Sequence, residues 1–341
     1  METRDWIRRS LQKNDPEHAQ HKQLLNLKLA ATYSRKGFER EKMKLATTDC
    51  FKQLAQQNPN LITLDEEQIK KVQAVSLEML KDIVTICEKN HIVYHLTGGS
   101  ALGAIRHKGF IPWDDDLDID MARKDIQKFL NIVEKEYSDK YWIHTPYSSE
   151  KFCMPCYQLR RKNTVFQTCY DASEEQCGVA VDLPIMENIP DNTLLRKIHG
   201  FGSLLFGFIV SCRRFYKNRK FMLNMSDGLN ETQKVFKTKI AIGFCFSFLP
   251  LNTWTRLLDK WNGLCKNQNT KMVSVPTGRK HYFGEIYQKD EFYEATEGVF
   301  EGIPVKVPRE YDKYLRHMYG NYMEIPPKEK REQHVVLKYL V

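Results

Sequence analysis

Between Trp113 and Met121 the chain places five carboxylates in seven positions, Asp114-Asp115-Asp116-Leu117-Asp118-Ile119-Asp120. Charges this dense repel one another, and no basic residue lies inside the stretch to offset them. On a strand, alternate side chains share a face, so Asp114, Asp116, Asp118 and Asp120 point one way and Leu117, Ile119 and Met121 the other. An acidic turn in solvent would not carry that apolar face. A divalent cation is the simplest way to hold such a row together, and an all-oxygen ligand set suits Mg²⁺ or Mn²⁺.

Upstream, Ile92-Val93-Tyr94-His95-Leu96 is an apolar run suited to a buried strand. Gly98-Gly99-Ser100 follows, and Ala101 to Ile105 resumes as a helix. A strand running through glycines into a helix presents backbone N–H groups to an anion. Gly-Gly-Ser alone is common in turns. Ahead of paired carboxylates it predicts a phosphate cradle, because Mg²⁺ characteristically bridges one or two carboxylates to substrate phosphates. The chemistry expected is phosphoryl transfer.

The remaining pattern is mixed. Thr63 and Glu66 have capping-box spacing ahead of Ile69, Val72, Leu80, Ile83, Val84 and Cys87 at helical intervals. Val179 to Leu183 reads as a core strand, and Glu301-Gly302 as the turn of a hairpin. With no internal repeat, the class expected is α+β. Asp15-Pro16-Glu17 starts an N-terminal helix that Gly37 can end.

Charge is unevenly spread. Of 52 basic and 43 acidic residues in the 341, ten basic and two acidic ones lie between Arg196 and Lys239, close to the whole net charge of +9. Two uncharged runs, Ile198 to Cys212 and Ile240 to Thr255, border this cluster. Both are too short to span a bilayer and suit either core helices or helices lying at a membrane surface. A polar start without a secretory signal and nine scattered cysteines point to a cytoplasmic chain with reduced thiols. Cys153-Met154-Pro155-Cys156 with Cys169 and Cys177 has irregular spacing for zinc, so buried thiols are the better expectation.

The run Thr97-Gly98-Gly99-Ser100-Ala101-Leu102-Gly103-Ala104-Ile105-Arg106-His107-Lys108-Gly109-Phe110-Ile111-Pro112-Trp113-Asp114-Asp115-Asp116-Leu117-Asp118-Ile119 resembles the signature of the LicD family. The likeness continues through Arg160 to Thr164, Val181-Asp182-Leu183-Pro184, and a tail from Tyr319-Gly320-Asn321-Tyr322-Met323 to Pro326-Pro327 and His334. That family belongs to the nucleotidyltransferase-fold superfamily and includes bacterial phosphocholine transferases, with fukutin-type transferases as distant relatives. The resemblance implies a nucleotidyltransferase-like mixed sheet flanked by helices, with helical additions. It divides the chain into an N-terminal helical extension (1–62), a catalytic core (63–195), a basic and apolar helical segment (196–260) and a C-terminal part of the same domain (261–341).

By position, the resemblance makes Asp116 and Asp118 the metal pair and Asp182 a third carboxylate with a catalytic role. Gly98, Gly99 and Ser100 fall at the phosphates. Arg106, His107 and Arg160 fall around the donor, and Arg331 and His334 belong to the family tail. Two departures stand out: Asp120 occupies a position where many relatives have a small residue, and Ile185-Met186 follows Pro184 where relatives often have another Asp. Trp113 has two readings, contact with a choline headgroup by cation–π attraction or packing in the core.

The implied reaction moves phosphocholine from CDP-choline, or a similar group from another CDP-linked donor, with Mg²⁺ or Mn²⁺ as cofactor. The acceptor would be a glycan of lipopolysaccharide, teichoic acid or capsule, or its lipid-linked precursor, reached from the inner face of the cell membrane. Transfer of ribitol phosphate or phosphoethanolamine is the alternative on the same scaffold. Nucleotidyl transfer to RNA or protein also fits the fold. Nucleic acid is not an expected partner, since the basic residues cluster beside apolar helices without base-stacking aromatics.

Overall fold

Two helices open the chain as described by the computed structural model, α1 (Thr48–Gln57) and α2 (Glu66–Asn90). The structure describes residues 45, 47–57, 61–148, 154–168, 171, 175–327, 331 and 336–341. The expected N-terminal helix, Cys153, Cys169 and His334 lie outside them. The start of α2 falls two residues later than its sequence spacing suggests. Asp65, not Thr63, is the cap: its side chain accepts from the Gln68 N–H at 2.8 Å, and the Gln68 side chain accepts from the Asp65 N–H at 3.0 Å. Glu66 and Glu67 then place acids on the first turn, where the helix dipole favours them. One face of α2, including Val72, Met79, Leu80 and Ile83, is fully buried in the main core.

The next elements are β1 (Tyr94–Leu96), α3 (Gly98–Leu102) running into a π-helical turn (Gly103–His107), β2 (Ile119–Ala122) and α4 (Arg123–Glu136). Next come β3 (Tyr141–His144), β4 (Tyr157–Arg161), β5 (Val165–Thr168), β6 (Ala180–Leu183) and β7 (Ile185–Asn188). Four helices then succeed one another: α5 (Thr193–Lys217), α6 (Arg219–Met225), α7 (Asn230–Cys245) and α8 (Leu251–Asn262). The chain closes with β8 (Met272–Ser274), α9 (His281–Gly284), β9 (Ile286–Gln288), α10 (Lys289–Phe292), β10 (Ala295–Phe300), β11 (Ile303–Pro308), α11 (Tyr311–Tyr319) and β12 (Val336–Leu340).

Strands β1-β2-β7-β8-β9 form one sheet and β3-β4-β6 another. Only Pro184 separates β6 from β7, and proline has no N–H for a ladder. Both flank the same parallel neighbour. Asp118 bridges to Asp182 on the β6 side, and β2 pairs with β7 through Met121 and Ile185. The two sheets therefore meet along β2 as a curled α+β surface, flanked by helices as expected. Glu301 and Gly302 turn the β10–β11 hairpin with φ of +48° and +77°, the left-handed pair that a two-residue hairpin needs.

Helix α5 absorbs the first uncharged run and extends it at both ends. With 25 residues and a mean hydropathy of 1.2 in its most apolar window, it is long and apolar enough to cross a bilayer by length and composition. Arg213 is buried and donates to the carbonyls of Gly243 at 3.1 Å and Leu249 at 3.3 Å, clamping α7 onto α5. Lys239, from the same basic cluster, is buried beside Ser211 Oγ at 2.9 Å. Part of the positive surplus therefore lies inside the helical packing.

Candidate active site

The glycine turn and the acidic run meet at van der Waals distance. Thr97 donates its N–H to the Asp118 carbonyl at 3.1 Å, which carries the end of β1 across to β2. Gly98 follows with φ of +53°, and its N–H donates to the Tyr314 hydroxyl at 2.8 Å. A Cβ on Gly98 would lie 2.6 Å from Asp118 Oδ2, and one on Gly99 would lie 2.5 Å from Asp114 Oδ2. Two glycines stand here because the carboxylates occupy the space a side chain would need. Ser100 Oγ completes the join by accepting the Asp118 N–H at 2.8 Å.

Strand pairing reaches back only to Asp118, later than the alternating pattern alone suggests. Ahead of it, Asp114 donates its N–H to the Ile111 carbonyl at 3.0 Å, and the Gln73 amide of α2 donates to the carbonyls of Ile111 and Asp114. This pinned turn keeps Asp114 to Leu117 out of the sheet, yet the alternation survives: Asp115, Leu117 and Ile119 are buried, while Asp114, Asp116 and Asp118 are partly open. Asp120 lies on the same side of β2, one pleat deeper, and bonds His95 Nδ1 at 2.9 Å with both side chains fully buried. Burial raises the Asp120 pKa, against the opposing pull of His95. Asp120 thus braces the strand from inside.

Asp182 faces Asp118 across the parallel bridge, and its N–H donates to the Leu117 carbonyl at 2.9 Å. Gln158, its register partner on β4, donates to Asp182 Oδ1. Arg160 stands behind. It is buried, its guanidinium bonding Gln158 Oε1 at 3.0 Å and Asp171 Oδ1 at 2.9 Å, so it reaches Asp182 through Gln158. On the π-helical turn, Arg106 donates to the carbonyls of Tyr322 at 2.6 Å and Glu324 at 3.2 Å, fixing the tail onto α3. Its Nε donates to His107 Nε2 at 2.9 Å, and burial, then the Arg106 charge, holds the His107 pKa down. The Trp113 face is covered by the Arg331 guanidinium 4.0 Å from the ring centroid, with His107 against its edge. Trp113 itself packs on the main core.

Three further side chains shape the site, and two of them, Tyr314 and Gln158, are unmarked in the sequence. Tyr314 is buried and receives the Gly98 N–H. Tyr319, one turn on, has its pKa raised by burial and then by Asp118, with Asp114 and Asp116 adding and Arg279 opposing. Gln158 positions Asp182. All three come from distant segments, so only the close Tyr319-Gly320 of the tail gave any signal.

No group of three His, Cys, Asp or Glu side chains forms a metal cluster among the described residues. The donor chemistry still fits a hard cation. Asp118 and Asp182 sit side by side with Asp116 close by in sequence, all donors are oxygen, and the glycines leave one side without side chains. Mg²⁺ is ordinarily held by one or two carboxylates, with substrate phosphates completing its shell. Asp116, Asp118 and Asp182 are the residues that would hold it. The cysteines fit a metal less well: burial pushes the Cys156 thiol up to about 12, away from the thiolate that zinc requires.

Residues 91–181, which carry β1, the glycine turn, the acidic run and the first half of β6, match the family model described as LicD/FKTN/FKRP, nucleotidyltransferase domain. Over 283 residues the chain is also 28% identical to the lipopolysaccharide cholinephosphotransferase LicD of Haemophilus influenzae, covering 80% of this chain and 96% of that one. Residues 91–181 are thus a LicD-type nucleotidyltransferase domain by similarity. Shorter matches are to uncharacterized proteins of Rickettsia prowazekii (44% identity over 70 residues, 19% of this chain and 26% of that one) and Rickettsia typhi (40% over 78 residues, 21% and 25%). The long LicD match covers more of the chain than the nucleotidyltransferase segment alone.

Proposed function

We propose that this protein is a LicD-type transferase that moves phosphocholine from CDP-choline to a cell-surface glycan or its lipid-linked precursor, on the cytoplasmic side. The observation that carries the reading is the contact of Gly98 and Gly99 with Asp118 and Asp114, beside Asp182. It puts a side-chain-free backbone where a pyrophosphate can approach carboxylates that must otherwise repel it. Bound Mg²⁺ or Mn²⁺ would supply the charge neutralisation that makes this approach favourable.

Gly98, Gly99 and Ser100 orient the donor pyrophosphate. An acceptor hydroxyl attacks the phosphorus that bears choline; the new P–O bond forms, the pyrophosphate P–O bond breaks, and CMP leaves. Asp182, steadied by Gln158 and behind it by Arg160, takes the hydroxyl proton. Arg106 holds the family tail over the π-helical turn, and neutral His107 beside it can donate to a phosphate oxygen. Arg331 and Trp113 form the stacked wall nearby, where a quaternary ammonium would compete with the guanidinium for the ring face.

The test is CMP release from CDP-choline by the purified protein, with and without Mg²⁺, beside Asp118→Ala and with CDP-ribitol and CDP-ethanolamine as competing donors. Metal-dependent release selective for CDP-choline and lost in the variant is the expected result. Selectivity for CDP-ribitol or CDP-ethanolamine would replace the headgroup. Absence of binding to any CDP donor would overturn the reading.

A further inference from the structure

We propose that the outer face of α5 docks this protein onto the interfacial region of an anionic lipid bilayer. Leu194, Ile198, Phe201, Leu205 and Phe208 recur at alternating intervals of four and three, which puts them on one helical face. All five are exposed, from 36% at Phe208 to 67% at Leu194. Apolar side chains in an unbroken exposed stripe are unusual on a surface with no partner.

The inner face of the same helix is firmly held. His199 bonds the Trp261 carbonyl at 2.7 Å and the Tyr282 hydroxyl at 3.0 Å, and Arg213 is clamped to α7. The uncharged run Ile198 to Cys212 is 15 residues, about 22 Å of helix, against roughly 30 Å of hydrocarbon. Although the whole helix is long enough to cross, its inner face is bound to the rest of the protein through His199 and Arg213, so α5 lies along the surface of a bilayer with its stripe down.

Charge identifies the occupant. No acidic residue occurs from Thr193 to Ser226, while Lys197 is exposed beside the stripe and Lys217, Arg219 and Lys220 are exposed past its end. A second copy docking on this face would bring identical cations together. Anionic headgroups present the opposite sign, and each Lys or Arg held near them adds attraction. The surface is independent of the transfer chemistry: a protein inactive on every CDP donor would still bind vesicles.

Vesicle co-sedimentation of the full chain tests this, using phosphatidylcholine alone or mixed equally with phosphatidylglycerol. The wild type is expected to bind the anionic vesicles and not the neutral ones. Ile198→Gln with Leu205→Gln should lower partition roughly tenfold or more, with melting temperature unchanged because both positions are exposed. Lys197→Gln with Lys217→Gln and Lys220→Gln should weaken binding and its salt dependence. Failure of the wild type to bind anionic vesicles, or equal binding by the Ile198/Leu205 variant, overturns the proposal. So does a wild-type dimer that dissociates in that variant while vesicles go unbound.

Discussion

Asp118 and Asp182 are register partners on neighbouring parallel strands, so two carboxylates project from adjacent positions of one sheet surface. Two carboxylates placed this way repel one another, and a bound cation would relieve that repulsion, an arrangement typical of sites that trade stability for function. Asp118→Asn is expected to raise the melting temperature in EDTA and to abolish the added stability that Mg²⁺ gives the wild type. CMP release should fall by about 10³ or more. Thermal unfolding with and without Mg²⁺, run beside the activity assay, separates these effects; an Asp118→Asn protein that still responds to Mg²⁺ would move the metal elsewhere.

The two glycines should respond differently to alanine. Gly98 has φ of +53°, and its new Cβ would sit 2.6 Å from Asp118 Oδ2. Strain of about 1–2 kcal/mol from the left-handed backbone adds to displacement of a proposed metal ligand. Gly99 meets only the far end of Asp114, at 2.5 Å, without backbone strain. Gly98→Ala should lose both stability and nearly all activity, while Gly99→Ala keeps its stability and loses a smaller part of its activity. Denaturant titrations and CMP release on both variants check the ordering.

Much of this site was legible because its signals are local. The alternation from Asp114 to Met121 survives even where no strand forms, since the Gln73 contact replaces the ladder without changing which side chains face inward. The hairpin at Glu301-Gly302 was legible for the same reason. What was not legible depends on contacts between distant segments. One miss is local: Asp65-Glu66-Glu67-Gln68 has the same capping-box spacing as Thr63 to Glu66, and it is the pair whose two bonds form. Asp120 reads as a fourth member of the acidic row, yet His95, 25 residues earlier, draws it inward. Arg160 carries a charge that suggests phosphate contact, and Asp171 and Gln158 bury it instead behind Asp182.

Tyr314 holds the glycine turn from α11. Its hydroxyl accepts the Gly98 N–H at 2.8 Å, inside a protein layer that excludes water from the phenol. Tyr314→Phe leaves that N–H unpaired at a cost of about 1–3 kcal/mol, and loosens the turn by the same bond. The expected signature is a fall in kcat of roughly tenfold, with Asp118-dependent Mg²⁺ stabilisation retained. A variant with normal kcat would reduce Tyr314 to a packing residue.

Glu285 makes the strongest pH prediction. It is nearly fully buried, lies against Gly278, and accepts the Lys280 N–H at 2.7 Å, bracing the loop that carries Arg279. Burial pushes its pKa up to about 7, from an ordinary 4.5, with the Lys280 bond opposing. A raised folded-state pKa means the protonated form stabilises the fold. That stability is complete below about pH 4.5 and is lost as pH rises through 7, amounting to roughly 3 kcal/mol from this group. Glu285→Gln keeps the acceptor oxygen and cannot ionise, so the difference between wild type and variant should shift in the variant's favour from pH 5 to pH 8. Urea unfolding at those two values measures it directly; a difference that stays constant with pH would mean Glu285 is ionised throughout and its loop is held by charge.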